Sequence, residues 1–237
     1  MAISDHRSSQ PSFEEFARIA ADARVAGMLS GKAGIVNVHL GDSERRLDLI
    51  RRVIKETEIP ASQFLPTHVN RNAALFEDCL DLAAEGGNID FTGNEDIDYW
   101  ETICDEVRVC RGIRMLLDRG ISSDRFTISS DGQGSMPVFN EKGEFQGIGI
   151  GKAYSLLKEV RECVQREEIP LEIAVKGITS NPASILKLER KGHIKEGFDA
   201  DICLLEEGTL ELNTVIAKGQ IMVRDGEQKV FGTFERA

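Results

Sequence analysis

The sequence predicts an α/β protein built on a parallel sheet, followed by a small β module. Short β-branched runs alternate with amphipathic segments of helical length along most of the chain. Such alternation is typical of βα units, whose strands lie parallel. After Pro182 the pattern changes to short apolar runs separated by Gly and Asp-Gly turns. We therefore expect two domains, over residues 1–185 and 186–237.

The first elements follow from the spacing of apolar residues and from the residues that end each run. Apolar residues at helical spacing predict a helix over 13–31, which ends at a glycine. The β-branched run at 34–42 predicts a strand, and an amphipathic helix with Ser43 as its N-cap is predicted over 43–57. The same alternation predicts a strand and loop over 61–70, a helix over 72–87 and a strand over 88–93.

The later elements complete the alternation. A helix is predicted near 103–119, a strand over 124–132 and a last long helix over about 151–166. The apolar runs within 192–208 and 213–228 predict the short strands of the β module.

Composition excludes several classes of function. The net charge of -11 argues against a nucleic-acid groove, which needs a basic face. No apolar run approaches the length that spans a bilayer, and the polar start of the sequence does not resemble a secretory signal. The five cysteines are odd in number and widely spaced, which suits a reducing compartment. We therefore expect a cytoplasmic protein that binds neither nucleic acid nor membranes.

Three polar residues stand at the ends of predicted strands. His39, His68 and Asp131 each follow an apolar run and precede a loop or helix. Carboxyl ends of parallel strands build the active sites of α/β barrels. Two neutral imidazoles and a carboxylate suit a divalent cation such as zinc. A single strand-end histidine is more often structural, and an aspartate before glycine is common in turns. Three such residues together favour a site.

Arginine is the residue that best binds a carboxylate, because its planar fork bonds both oxygens. Most arginines of this chain lie on predicted helix faces, where they are solvated charges. Arg71 differs, since it follows the candidate ligand His68 by three residues. Arg7, in a polar segment near the chain start, has no such placement.

Several short segments of the sequence resemble the isoaspartyl (β-aspartyl) dipeptidase family of the amidohydrolase superfamily. They are SDHRS (4–8), HLGDS (39–43), LPTHVNRN (65–72), SSDGQGS (129–135), TSNPA (179–183) and GHIKEGFDADICLL (192–205). LPTHVNRN and SSDGQGS are specific to this branch, whereas the last segment places only the superfamily. The resemblance implies the C-terminal half of a (β/α)8 metal-dependent hydrolase barrel, strands five to eight, beside part of a small β-sandwich.

The resemblance also implies roles for individual residues. His39 and His68, at the ends of barrel strands five and six, are similar to ligands of one zinc ion. Asp131, at the end of strand eight, is similar to the ligand of a second zinc ion that also serves as catalytic base and acid. Arg7 and Arg71 resemble the pair that holds the substrate's terminal carboxylate. Ser135 resembles a serine that contacts the β-aspartyl group. The implied reaction is hydrolysis of β-aspartyl dipeptides.

The sequence departs from the family in one large respect. The family's His-x-His on strand one and its bridging carboxylated lysine on strand four have no counterpart here. We therefore expect weak metal binding by the remaining ligands in a truncated or split family member, and the sequence leaves open whether this chain is active by itself. A separately encoded N-terminal half would then be a partner, and the family implies a homo-oligomer.

Two other functions fit the same residues. The chain could be a non-catalytic amidohydrolase remnant that acts as an interaction partner. It could also be an amidohydrolase of another specificity, such as a dihydroorotase-like enzyme, whose substrates carry carboxylates and amides too. The metal ligands do not separate these alternatives, whereas the Arg71 context and SSDGQGS favour the dipeptidase.

Overall fold

A five-stranded parallel sheet forms the centre of the molecule. The structure is a computed structural model that describes residues 1–94, 97–140, 144–151, 153–233 and 235. The strands lie in chain order and each neighbouring pair is parallel: β1 (Ala2–Ile3), β2 (Val36–Leu40), β3 (Phe64–Thr67), β4 (Ile89–Thr92) and β5 (Phe126–Ser129). The predicted α/β class with a parallel sheet is confirmed. The numbering of β2 to β5 as strands five to eight of a barrel stays a prediction, and β1 is a strand that the sequence did not predict.

The helices that follow the strands cover one face of this sheet. They are α1 (Phe13–Ser30), α2 (Asp48–Glu56), α3 (Ala73–Ala84), α4 (Ile97–Cys104) and α5 (Val109–Asp118). The helix predicted at 13–31 is confirmed as α1. The Ser12 hydroxyl and the Glu15 carboxylate cap its start reciprocally, and Gly31 ends it in the left-handed conformation at φ 67°.

The prediction of Ser43 as the cap of the second helix is wrong. Helix α2 begins at Asp48, and residues 44–47 form a turn. Arg46 adopts a positive φ of 41°, which a continuous helix does not allow. The Ser4 hydroxyl donates to the Arg46 carbonyl at 2.7 Å and so stabilises the turn. A partner 42 residues away thus sets the start of this helix.

The single helix predicted near 103–119 is two helices. Asp105 has a positive φ of 56°, and the chain is not helical between α4 and α5. The backbone amide of Val107 donates to the backbone carbonyl of Asn70 at 2.8 Å, and the side-chain amide of Asn70 donates to the backbone carbonyl of Val107 at 3.2 Å. This pair of bonds joins the break to the end of β3, and it brings Glu106 to the carboxyl edge of the sheet.

The hydrophobic core lies between the sheet and the helices. The side chains of β2 alternate, so Val36, Val38 and Leu40 are buried while the intervening residues point to the other face. Aromatic rings continue this core along the sheet: Phe16 stacks on Phe64 at 5.5 Å, and Phe91 contacts both Phe76 and Phe126. His39 lies on the opposite, more open face of the sheet because it alternates with the buried valine and leucine.

The remaining elements follow β5. A hairpin that the sequence did not predict, β6 (Ser135–Phe139) with β7 (Phe145–Ile150), precedes the helices α6 (Ser155–Glu167), α7 (Leu171–Ala174) and α8 (Ser180–Ile185). The β module is an antiparallel sheet, in spatial order β11-β10-β9-β8, of β8 (Ile202–Leu205), β9 (Leu212–Ala217), β10 (Gln220–Arg224) and β11 (Glu227–Gln228). The domain boundary at 185/186 stays a prediction.

Among the described residues, no helix combines the length and the apolar character needed to cross a lipid bilayer.

Candidate metal and active site

A cleft of about 630 Å³ opens at the carboxyl edge of the parallel sheet. Strands β2, β3 and β5 all end there because they run parallel. The cleft is lined by each of the six residues that the sequence singled out: Arg7, His39, His68, Arg71, Asp131 and Ser135. Their common location follows from the topology. Their individual roles stay predictions.

His39, His68 and Asp131 form the centre of the cleft. The Nδ1 atom of His39 lies 3.1 Å from the Nε2 atom of His68. A carboxylate oxygen of Asp131 and the two ring nitrogens all lie within 4.8 Å of one another. His39 is exposed, His68 is buried and Asp131 is half-buried. The three donor atoms therefore face one small volume that is open to the cleft.

The surroundings of His68 keep its ring neutral and fix its orientation. Burial lowers the pKa of His68 to about 3, and the positive charge of Arg71 acts in the same direction. The Nδ1 atom of the ring lies 2.8 Å from the hydroxyl of Thr92 on the neighbouring strand. With Nδ1 held in this way, Nε2 points toward His39. A neutral imidazole with a fixed second nitrogen is the form that binds metals.

Two of the three central residues adopt a left-handed backbone conformation. His68 has a φ of 64° and Asp131 a φ of 47°. Residues other than glycine adopt this region at a cost of about 1–3 kcal/mol, and such strain clusters at functional sites. His68 directly follows the end of β3, and Asp131 lies two residues after the end of β5. The strain is therefore located where the candidate ligands leave the sheet.

The two candidate carboxylate-binding arginines differ in their partners. Arg7 is exposed, and its guanidinium bonds both oxygens of Asp5, at 3.1 and 2.8 Å. This pairing lowers the pKa of Asp5 well below its usual range. The Nε atom of Arg71 is buried and has no hydrogen-bond partner among the described residues. Arg71 thus lines the cleft with its Nε atom buried and unsatisfied, whereas the guanidinium of Arg7 is already engaged by Asp5.

Glu106 forms the wall of the cleft beside Arg71, and the sequence did not reveal it. The Asn70 amide donates to the Glu106 Oε1 atom at 3.3 Å and to the Thr92 carbonyl at 3.1 Å. Burial raises the pKa of Glu106 to about 7, although the Arg71 charge opposes that rise. The residue reaches the cleft because the chain breaks between α4 and α5. The only local signal for this break is Asp105, a residue type that tolerates positive φ.

The two central imidazoles fit a zinc ion in kind and spacing. Zinc binds imidazole nitrogen at about 2.0–2.1 Å in a tetrahedral arrangement, so two such nitrogens lie roughly 3.3 Å apart. The separation of 3.1 Å between His39 Nδ1 and His68 Nε2 is close to that distance. The Asp131 carboxylate, within 4.8 Å of both nitrogens, faces the same volume. His39 and His68 would hold the ion, with the Asp131 carboxylate beside it.

The sequence pattern of the amidohydrolase family matches residues 37–222, which is most of the chain. The protein therefore belongs to the amidohydrolase family. Within that family it is similar to a β-aspartyl dipeptidase from Fervidobacterium islandicum AW-1, whose structure was solved in complex with the dipeptide β-Asp-Leu. The two chains are 41% identical, with a TM-score of 0.86 over 99% of this chain. A second structure of β-aspartyl dipeptidase from the same organism is 38% identical, with a TM-score of 0.84.

The chain spans 58% and 57% of the length of those two dipeptidase chains. The predicted resemblance to part of such an enzyme is confirmed. N-acetylglucosamine-6-phosphate deacetylase from Pasteurella multocida is also similar in structure, with a TM-score of 0.54 over 85% of this chain and 54% of its own. At 15% identity this likeness concerns the fold alone.

Proposed function

We propose that this protein takes part in metal-dependent hydrolysis of β-aspartyl dipeptides. One observation carries the proposal: two imidazoles and a carboxylate, whose ligand atoms lie within 4.8 Å of one another, share a cleft with the guanidinium side chain of Arg71. The first group suits a metal and the second suits a carboxylate. The similarity to a dipeptidase solved with β-Asp-Leu supports this choice of substrate.

Arg71 is the residue that holds the terminal carboxylate of the dipeptide. Its side chain lines the cleft, and a guanidinium can donate to both oxygens of a carboxylate that enters there. Arg7 is the second residue that binds the carboxylate. Its guanidinium already bonds both oxygens of Asp5, so it must bond Asp5 and the substrate together or give up its bonds to Asp5. Ser135, exposed at the start of β6, contributes a hydroxyl to the β-aspartyl group.

Asp131 is the residue that moves the proton. Its carboxylate faces the same volume as the two imidazoles, so it lies beside any water held there. It accepts a proton from the attacking water and passes it to the leaving amine nitrogen as the amide C–N bond breaks. When bound, zinc supplies Lewis-acid chemistry that activates water and polarises an amide carbonyl. His39 and His68 hold that ion in the proposal.

The identity of the metal and the state of assembly extend the proposal. We take zinc as the metal, and a second ion in the full site, from the resemblance to the family. We expect a homo-oligomer, and a separately encoded polypeptide is the proposed source of further ligands. The cytoplasmic location rests on the odd number and wide spacing of the cysteines.

The purified protein tests the proposal in two linked measurements. Zinc binding is measured by titration of the metal-free protein, and leucine release from β-Asp-Leu is measured in the presence of zinc, with α-Asp-Leu and dihydroorotate as comparison substrates. We expect bound zinc and selective release of leucine from the β-linked dipeptide. A His68→Ala variant should lose both, whereas His193→Ala, a change in an exposed residue outside the cleft, should lose neither.

Three outcomes contradict the proposal in different ways. Faster turnover of dihydroorotate would replace the dipeptide by a cyclic amide as substrate. Bound zinc without any leucine release would favour a non-catalytic interaction partner. Failure of the wild-type protein to bind zinc would remove the metal site itself.

A further inference from the structure

Asp90 lies in the middle of the sheet, below the central ligands, and the proposed reaction gives it no role. It belongs to β4 and is only 4% exposed. Three hydroxyl groups from the two neighbouring strands donate to its carboxylate. Thr67 on β3 and Ser129 on β5 bond the Oδ2 atom, each at 2.6 Å, and Thr127 on β5 bonds Oδ1. One carboxylate therefore joins three strands by side-chain bonds.

Two of these bonds end beside a residue of the proposed metal site. Thr67 directly precedes His68, and Ser129 lies two residues before Asp131. Thr92, two residues after Asp90 on the same strand, contacts the Nδ1 atom of His68 at 2.8 Å. The hydroxyl bonds of Asp90 thus hold the backbone from which both ligands leave the sheet.

Backbone pairing by itself holds these strands unevenly. Strands β4 and β5 share four register pairs, from Ile89↔Phe126 to Thr92↔Ser129. Strands β3 and β4 share only one register pair, Thr67↔Asp90. The side-chain bond from Thr67 to Asp90 therefore reinforces the position at which the sheet is least paired. His68, with its strained φ of 64°, is the next residue along the chain.

We propose that Asp90 is a positioning residue, which sets the relative placement of His68 and Asp131 by binding Thr67 and Ser129 at once. This role rests on the proposed function, since it concerns the spacing of the proposed metal ligands. A buried carboxylate needs several hydrogen bonds to be tolerated, and hydroxyls that bind it are held in one orientation. Substitutions that loosen metal ligands through their outer contacts typically lower metal affinity 10- to 100-fold.

The test uses Asp90→Ala, which removes the carboxylate. Thr67 and Ser129 both donate to the Oδ2 atom, so an asparagine whose carbonyl oxygen takes that place would keep both bonds, whereas alanine offers an acceptor to neither hydroxyl. We expect the zinc affinity of this variant, measured by competition with a chromogenic chelator, to fall about 10- to 100-fold. Thr67→Val and Ser129→Ala each remove one of the two bonds and should give smaller losses.

A matched control separates positioning from general stability. Asn181 is also buried, and its amide donates to the carbonyls of Ser123 and Phe126 at the start of β5. Asn181→Ala should lower the free energy of unfolding while leaving zinc affinity within twofold of wild type. An Asp90→Ala protein that folds and binds zinc within twofold of wild type would overturn the proposal. So would equal losses of affinity in the Asp90 and Asn181 variants.

A metal-free measurement keeps the proposal distinct from the proposed function. Imidazole ¹⁵N shifts report which ring nitrogen of His68 carries the proton and how firmly the ring is held. We expect these signals to move or broaden in Asp90→Ala, or in Ser129→Ala if the first variant does not fold, and to stay unchanged in Asn181→Ala. Unchanged His68 signals would contradict the role of Asp90. Lack of zinc binding in the wild type would instead contradict the proposed function alone.

Discussion

Replacement of Arg71 by methionine should affect stability and ligand binding in opposite directions. The methionine keeps an unbranched side chain of similar reach but removes the guanidinium. The Nε atom of Arg71 is buried and has no partner among the described residues. An unsatisfied buried donor costs about 1–3 kcal/mol, so its removal should leave the free energy of unfolding unchanged or raise it by up to that amount.

Binding of the dipeptide should weaken in the same variant. A hydrogen bond to a charged group contributes about 1.5–3 kcal/mol, which corresponds to roughly a 10- to 100-fold change in the dissociation constant. Isothermal titration calorimetry with β-Asp-Leu measures this constant without requiring turnover. Urea unfolding of the ligand-free protein measures the free energy of unfolding at the same pH.

Arg119→Met is the control for the loss of a charge. Arg119 lies at the end of α5 and pairs with Glu77 at the surface, away from the cleft. Surface ion pairs contribute about 0–1 kcal/mol, so this variant should lose little stability and no affinity. The reasoning about Arg71 fails if its methionine variant binds β-Asp-Leu within twofold of wild type. It also fails if that variant is less stable than the Arg119 control.

Three further predictions follow from the acidic residues. Burial raises the pKa of Glu159 from 4.5 to about 7, so the folded state favours the protonated carboxyl. The stability that this protonation contributes is present at low pH and is lost as pH rises through about 7. The free energy of unfolding of Glu159→Gln, measured in urea, should therefore rise relative to that of wild type by about 2–3 kcal/mol between roughly pH 5 and pH 8. A difference that does not change with pH would contradict this prediction. Burial also raises the pKa of Glu106 to about 7, and this residue lies beside Arg71. Above that pH the charged carboxylate competes for Arg71, so calorimetry should show weaker dipeptide binding in wild type but not in Glu106→Gln. Asp131→Asn keeps a residue that tolerates the left-handed backbone, and it should lower kcat about 10²- to 10⁴-fold with little change in KM, whereas a proportional rise in KM would assign Asp131 to binding.

Local patterns in the sequence predicted most of the fold. Helix α1 carries its own start and stop signals, a capping box at Ser12 and Glu15 and a glycine at 31, so its bounds could be read from the sequence. The parallel strands follow from the alternation of β-branched and amphipathic runs. Because parallel strands end at one edge, the meeting of His39, His68 and Asp131 in one cleft could also be anticipated.

The errors concern features that distant partners decide. Ser43 has the right chemistry for a helix cap, but a bond from Ser4 to Arg46 delays the start of α2. The helix near 103–119 is interrupted because Asn70, far along the chain, binds the backbone at Val107. Apolar spacing alone does not reveal such contacts.

The residues that support the site escaped the sequence for the same reason. Asp90 lies inside an ordinary strand run, and Glu106 lies inside a run with helical spacing. Only the folded arrangement brings the hydroxyls of β3 and β5 to the first and Arg71 to the second. Residues at strand ends could be identified from the sequence, whereas the residues that orient them could not.

Anomalous diffraction at the zinc absorption edge tests the central claim most directly. The claim is that His39, His68 and Asp131 form a metal centre at the carboxyl edge of the sheet. Crystals of the protein grown with zinc should show an anomalous peak about 2.0–2.2 Å from His39 Nδ1 and His68 Nε2, on the side of the Asp131 carboxylate. Zinc density bound elsewhere, with the two rings still hydrogen-bonded to each other, would contradict the claim.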